Sequence, residues 1–526
     1  MDRLTLFIIG LAGILLLCGV AVWLWRRFYR DDDNAARRIV KNSAVPFVAR
    51  LVVRALDMVF FVVLLGTLPA AEIGPYTVAA LLVAQYLGTI TDFGLGVLLT
   101  REVARDPQAA QKLFGITLLI RLLLVVLLAV PLAQAIIGMY DLLAALGVGE
   151  AITPVGQQAI WVLLLTLPPS AYAGAVTALF HANERMEVPA LIELVTAIIS
   201  LIARIAVLLL GFGIVGLAWA AVGVSTFTAL IFFWLQVRTF FAPMLQWDWT
   251  QARALLWLAF PLMLNNLLNV VFFRFDIFII KAFGEGQGEL LVQQYAVPYQ
   301  ILNIALILPP VVTFAVFPLL ARRAANERAA LAEAQNRTLQ VLLLLAFPIT
   351  VGTAVLAPDL IAFFARDNAS DYLPISAEVL AILAWFLPLS FVNGLLQYVL
   401  IAINRQAAIT RAFVIGAAFN LSSNLLLIPQ FGLYAASVIT ILSEVVLLLV
   451  FWPLLRREGL APPLLRLMWR PLLAALLMGA AMLAMAPLGW LVAALLAAPI
   501  YGAALWLLGA FGAEEMALAR RVLGRA

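Results

Sequence analysis

The sequence predicts an all-α, polytopic membrane protein, and three observations carry that expectation. Of 526 residues, 65% are hydrophobic and only 12% are charged, against about 45–50% and about 25% in soluble domains. Mean hydropathy is +1.08, so the chain cannot cover itself with polar surface in water. Fifteen apolar stretches reach the length of about 20 residues that a helix needs to cross a bilayer. The basic residues gather in alternate linkers. One cysteine, Cys18, excludes an intramolecular disulfide, and one histidine, His181, nearly excludes a Cys/His zinc site.

In chain order, a leading segment covers 5–25. Fourteen more follow at 44–66, 75–99, 113–138, 158–182, 188–210, 213–237, 254–280, 295–320, 338–364, 376–403, 412–428, 432–455, 471–487 and 488–511. No linker is long and polar enough to be a soluble domain; 321–337 is among the longest. Lys and Arg in short loops stay on the cytoplasmic side. With 26–43 inside, the inner linkers hold 25 of the 33 Lys and Arg, and the outer ones hold Arg3, Lys281 and Arg366. That asymmetry puts the N-terminus outside and the C-terminus in the cytoplasm. It also reads the +5 net charge as topology rather than as a nucleic-acid surface. The leading segment has two readings, a retained anchor and a cleaved signal peptide. The anchor is favoured because the positive cluster follows the apolar run and no small-residue cleavage site is evident.

The chain repeats itself. LLTR at 98–101 recurs as LLAR at 319–322, Tyr76 with Val78 as Tyr295 with Val297, and Asp57 as Asp276. Phe212-Gly213 recurs as Phe431-Gly432, and Asn183 as Asn404, all at an offset of 219 or 221 residues. Each repeat holds six helices, an even number, so both halves enter from the same side. The pseudo-twofold axis then lies along the membrane normal, as in transporters whose site lies between two parallel repeats. The expected organisation is an extra N-terminal transmembrane helix with a basic cytoplasmic linker (1–43), an N-terminal six-helix bundle (44–253), a C-terminal six-helix bundle (254–460), and two additional helices with a cytoplasmic tail (461–526).

Besides Asp359 and Glu378, which lie beside an outer loop, ten charges fall inside the predicted helices: Arg50, Arg54, Arg121, Arg204, Arg274, Asp57, Asp92, Glu193, Asp276 and Glu444. Each would cost roughly 2.5–3.5 kcal/mol facing lipid at a helix centre, so they must face one another or a wet interior. Arg50, Arg54 and Asp57 stand at i, i+4 and i+7 on one face of the first helix. Asn265, Asn269 and Asp276 form a polar stripe on the seventh. Glu193 and Arg204 share a face of the fifth. Asp92 lies in TITDFGLG, where Gly94 and Gly96 permit bending or close packing. Two readings stand side by side: pairs that hold helices together, and a substrate cavity. The repeat favours the cavity for Arg54, Asp57, Arg274 and Asp276, and the planar guanidinium fork suits phosphate. Glu444 has no evident partner and is a candidate proton or cation site. Pro168, Pro169, Pro309 and Pro310 should kink the fourth and eighth helices.

The chain has no GxxxxGK[ST] loop, no HExxH and no GxSxG. The GEGQG run at 284–288 follows no strand, so it reads as an outer loop rather than a nucleotide fingerprint. Asp367 and Asp371 form a close acidic pair in an outer loop, too small a feature for a glycosyltransferase or polymerase site.

From Asn42 to Asp106 the chain resembles the polysaccharide-biosynthesis flippases of the MOP (multidrug/oligosaccharidyl-lipid/polysaccharide) superfamily. The resemblance is carried by Glu72-Ile73-Gly74-Pro75-Tyr76, Thr91-Asp92-Phe93-Gly94-Leu95-Gly96 and Thr100-Arg101-Glu102. In the second half Tyr295, Phe317-Pro318 and Asn404-Arg405 agree, and the likeness spans about 42–511. It implies two six-helix bundles around a central cavity that opens alternately to either side. It implies a lipid-linked oligosaccharide substrate on a polyprenyl pyrophosphate carrier, moved from the cytoplasmic to the outer leaflet of the cell membrane. Arg54 and Arg274, then Arg50 and Arg121, would line the cavity with Asp57, Asp92, Asn265, Asn269 and Asp276. Coupling to H+ or Na+ would fall to Asp57, Asp276 or Glu444. The expected partners are that substrate and membrane lipids, with no nucleic acid, no cofactor and no metal, and a monomer suffices. The alternatives are a cation-coupled multidrug exporter of the same superfamily and, further off, a membrane enzyme.

Overall fold

Apolar runs with no water to satisfy their backbone groups must close every hydrogen bond within the segment, so they become helices. The structure, a computed structural model, describes residues 35–509, with side chains from residue 45 except 325 and 326. The leading segment 5–25, the basic stretch up to residue 34, the tail from 510 and the end of the segment 488–511 lie outside the described residues. Among the described residues there is no strand.

The helices, in order, are α1 (Ala35–Thr67), α2 (Ala70–Arg105), α3 (Pro107–Ala145), α4 (Pro154–Ala182), α5 (Glu187–Leu209), α6 (Gly213–Thr239), α7 (Trp249–Arg274), α8 (Gly288–Ala324), α9 (Arg328–Val355), α10 (Ile375–Ala402), α11 (406–431), α12 (433–457), α13 (Leu464–Ala484) and α14 (Trp490–Leu507). The fourteen segments after the leading one therefore all fall on helices. Twelve of the described helices are long and apolar enough to cross a membrane by length and composition, with α11 and α12 running on as one 52-residue helix. That helix breaks at Gly432 (φ 56°, ψ −136°). The matched glycine of the first half, Gly213, also takes a positive φ, 60°. Helix α1 is outside the twelve because Arg50, Arg54 and Asp57 crowd one stretch of it.

Proline places several breaks. Helix α4 consists of Pro154–Leu164 and Leu167–Ala182, and α8 of Gly288–Ala305 and a second piece that begins at Leu308. In each, the proline pair sits in the first turn of the second piece, where a missing N–H leaves no helix bond unmade. The expected kinks thus come just before Pro168 and Pro309. In α2 the break is at Phe93 (φ 53°) and Gly94 (φ 72°), two consecutive left-handed residues. A Cβ on Gly94 would come 2.7 Å from Leu262 of α7.

The chain forms two compact units. Unit 1 contains the described residues up to Val270 together with Gly284–Gln293; unit 2 contains Val271–Phe283 and everything from Gln294. In unit 1, Phe114, Tyr172 and Phe241 meet edge to face, with Phe180 and Phe240 beside them, around buried Val103, Ala175, Val176 and Leu179. The linker after α6 is strapped across the start of α3: Gln111 donates to Ala242 O at 3.0 Å and Lys112 to Asp248 at 2.8 Å. In unit 2, α13 and α14 pack on α9. Gly479 leaves room for Val351, and Tyr501 donates to Leu344 O at 3.0 Å. Glu458 gathers Arg328 and Arg405 at 3.1 and 2.9 Å. Large apolar side chains such as Leu209, Trp257 and Leu495 are exposed, as expected of surfaces solvated by lipid tails.

Candidate functional site

In unit 1 the polar stripe of α1 divides into unlike parts. Arg50 and Arg54 are exposed and Asp57 is half-buried. Asp57 accepts from Arg204 of α5 at 3.3 Å, and the Arg204 guanidinium lies 4.3 Å over the Phe60 ring. Arg204 thus reaches α1 rather than Glu193 on its own helix, which is exposed. Eleven residues along a helix is about 16 Å, so sharing a face of α5 does not bring Glu193 and Arg204 into contact. With Asp57 neutralised by Arg204, the exposed part of the stripe is cationic.

Asp92 and Arg121 form an ion pair joining α2 to α3. Arg121 is 1% exposed while the Asp92 side chain is 47% exposed. Arg121 also donates to Ala171 O of α4 at 3.1 Å. Its guanidinium lies in a slot between Gly96 and Gly174, where a Cβ on either would come within 3.2 Å of it. Here Arg121 has no surface to offer a substrate; Asp92 does. Gly96 is explained by close packing, as TDFGLG suggested, but against a cation rather than a helix.

On α7, Asn265 is half-buried and Asn269 exposed, both in unit 1. The end of the same helix belongs to unit 2, where Arg274 is half-buried with its guanidinium 4.7 Å over the Tyr299 ring. Asp276 opens a short helix, Asp276–Ala282, and is buried. It accepts from Tyr295 Oη at 2.6 Å and from the Ile277 amide at 2.9 Å. Thr440 gives its single hydroxyl proton to Ala436 O at 3.0 Å, so Tyr299, 2.9 Å away, donates to it. Lys281, an outer-linker cation by sequence, is instead buried at the end of the short helix.

Elsewhere in unit 2, Asn393 donates to the Glu444 carboxylate at 2.7 Å and to its backbone oxygen at 2.8 Å. Asn424 donates to Asn420 at 2.9 Å, and Asn420 to Ser443 at 3.0 Å. Asn393 Oδ1 and Asn424 Oδ1 are buried acceptors without a hydrogen-bond partner. Two carboxylates and two open carbonyls among neutral donors make an acceptor-rich interior that suits a proton or a small cation. Tyr299, Thr440, Asn393, Asn420 and Asn424 were not singled out from sequence, and Tyr295 was noted only as a repeat and family match, not as a partner of Asp276. The signal that could have found Asn420 and Asn424 is asparagine at i, i+4 in an otherwise apolar helix. Among the described residues no group of three or more His, Cys, Asp or Glu stands ready for a metal.

This is a polytopic helical membrane protein, and its fold is shared with known transporters. The lipid II flippase MurJ in its inward closed conformation superposes with a TM-score of 0.69 over 92% of this chain and 100% of that one, at 15% identity. An inward-facing multidrug resistance MATE family transporter of the MOP superfamily gives 0.62 over 79% and 98%, at 16% identity. A MOP superfamily transporter from Pyrococcus furiosus, described by the reversed polarity of its binding pocket, gives 0.57 over 80% and 96%, at 15% identity. No curated protein sequence matches. The chain belongs to the family described as polysaccharide biosynthesis protein, whose model matches residues 68–377.

Proposed function

We propose that the protein is a flippase that carries a lipid-linked oligosaccharide, on a polyprenyl pyrophosphate, from the cytoplasmic to the outer leaflet of the cell membrane by alternating access. Its N-terminus lies outside and its C-terminus in the cytoplasm. The carrying observation is the exposed pair Arg50 and Arg54 on α1, whose neighbouring carboxylate is already taken by Arg204. Two guanidinium forks one helical turn apart match a pyrophosphate, which offers oxygens in pairs. Membership of a polysaccharide-biosynthesis family supports the glycan. Asp276 and Glu444 are the candidates for coupling to H+ or Na+.

A second reading, a cation-coupled multidrug exporter, is favoured by those same buried carboxylates and by the fold shared with MATE transporters. The two readings part in one experiment. In cells lacking the gene, the wild-type chain should restore surface polysaccharide, while Arg50→Ala and Arg54→Ala should lower export by about tenfold or more, the worth of a lost charged hydrogen bond, at unchanged membrane abundance. Unchanged export with altered drug tolerance would replace the flippase by the exporter.

A further inference from the structure

The GEGQG run at 284–288 has a task that its sequence does not announce. Glu285 and Gly286 take positive φ, 51° and 88°, and Gly284 lies so close to Gly288 that no Cβ fits between them. The loop curls until the amides of Gly286 and Gly288 point to one side, a backbone concavity of the kind that holds anions. The carboxylate of Glu150, from the linker between α3 and α4, fills it. Gly286 N donates to one oxygen, and Gly288 N to the other at 3.0 Å.

Three residues further along both strands of chain the arrangement is reversed. Glu289 is buried and accepts from the Thr153 amide at 3.1 Å. Thr153 in turn caps α4 by accepting from Gly156 N at 3.2 Å. Residues 150–153 and 286–289 thus exchange carboxylate for amide in both directions. The main chain of Glu289 rests on Gly74, where a side chain has no room, and Thr77 donates to Gln293 at 2.6 Å. Gly74 of the EIGPY motif is required by this contact. The docked segment, 284–293, is part of unit 1, yet the chain on both sides of it, 271–283 and from 294 on, belongs to unit 2.

We propose that segment 284–293 is a releasable latch on the outer face, closed here and let go when that face opens to discharge substrate. This rests on the transporter reading. A permanent joint would be an apolar core. This one buries a single apolar side chain of the segment completely, Val292, and otherwise rests on carboxylate-to-amide hydrogen bonds and glycine contacts, which water replaces on opening. Any rearrangement of unit 2 reaches both ends of the segment through the chain.

The sole cysteine, Cys18, can be replaced by serine, and Thr77→Cys with Gln293→Cys then places two thiols across the latch. Oxidation should link them, stop export, and be reversed by reductant. A linked protein that still exports, or a pair that never links, overturns the latch. In a second arm, Thr77→Cys alone is labelled from outside by an impermeant maleimide. Adding Glu150→Ala should raise the labelling rate by about tenfold, as loss of a charged hydrogen bond implies, and Glu150→Gln by less. An unchanged rate in a well-inserted protein overturns it too. If the wild type restores no surface glycan, the flippase reading falls, and the labelling arm still decides the latch.

Discussion

Arg204 of α5 reaches α1 with a 3.3 Å hydrogen bond to Asp57 and covers Phe60, one turn further along, with its guanidinium face. One side chain thereby ties the two helices together and engages Asp57, the carboxylate of the Arg50–Arg54 stripe. Asp57 is 46% exposed, so the pair is wet. Asp57→Asn and Arg204→Ala should each lower stability by about 1–2 kcal/mol, with less than additive loss in the double variant. Thermal unfolding in detergent measures this; additive losses would mean that the pair contributes nothing of its own. Asp57→Asn should leave the cationic stripe able to bind anions.

The pair on α2 and α3 is asymmetric, and so are its expected mutants. Arg121 is enclosed while Asp92 is half-solvated. Asp92→Ala strands a buried guanidinium and should cost about 3–5 kcal/mol. Arg121→Met fills a similar volume and leaves a carboxylate that water can reach, so it should cost less. Melting curves that rank the two in the opposite order would refute the assignment of burial. Gly96→Ala and Gly174→Ala should act like weakened forms of Arg121 loss, because each crowds the same guanidinium.

Glu444→Gln keeps an oxygen for Asn393 while removing the charge. It should fold and insert normally. If Glu444 couples an ion, export by this variant should no longer respond to collapse of the proton or sodium gradient. A gradient response equal to wild type would take Glu444 out of the coupling machinery.

Arg274 stacks on Tyr299, whose hydroxyl is held by Thr440. Arg274→Lys keeps the charge but loses the flat stacking fork, so it should lower export nearly as far as Arg274→Ala. Membrane abundance should hold in both. Full activity in the lysine variant would show that charge alone suffices.

The strap between α6 and α7 should respond to acid. The hydrogen bond from Lys112 is the main cause holding the Asp248 carboxyl below its ordinary value of 3.8. A depressed carboxyl stabilises the docked strap above that ordinary value and loses the contribution as pH falls through the lowered one. Proteolysis of the purified protein within 241–248 by an acid-active protease should therefore rise below about pH 4. In Asp248→Asn it should already be raised at neutral pH and change little on acidification.

Much of the fold is legible in the sequence because membrane helices answer to a local rule. About 20 apolar residues in hydrocarbon have only one way to satisfy their own backbone, so all fourteen segments from 44 onward fall on helices. Proline likewise acts on its own turn, which is why Pro168 and Pro309 mark breaks in α4 and α8. The identity of the charged residues was also visible, since a guanidinium or carboxylate in an apolar run is conspicuous.

Their partners were not. Sequence spacing sorts residues onto faces of one helix, and Glu193 with Arg204 shows the limit of that rule. Pairing is decided between helices, by which faces are brought within about 3 Å. Only the tertiary structure, therefore, buries Arg121 in a glycine slot, gives Asp276 a tyrosine instead of a cation, and sets the neutral amide of Asn393 against Glu444. It alone curls GEGQG around Glu150, 136 residues away in the chain. Helix formation is a contract between a segment and its solvent, which the sequence states in full; the environment of each charge depends on long-range packing, which it states only in part.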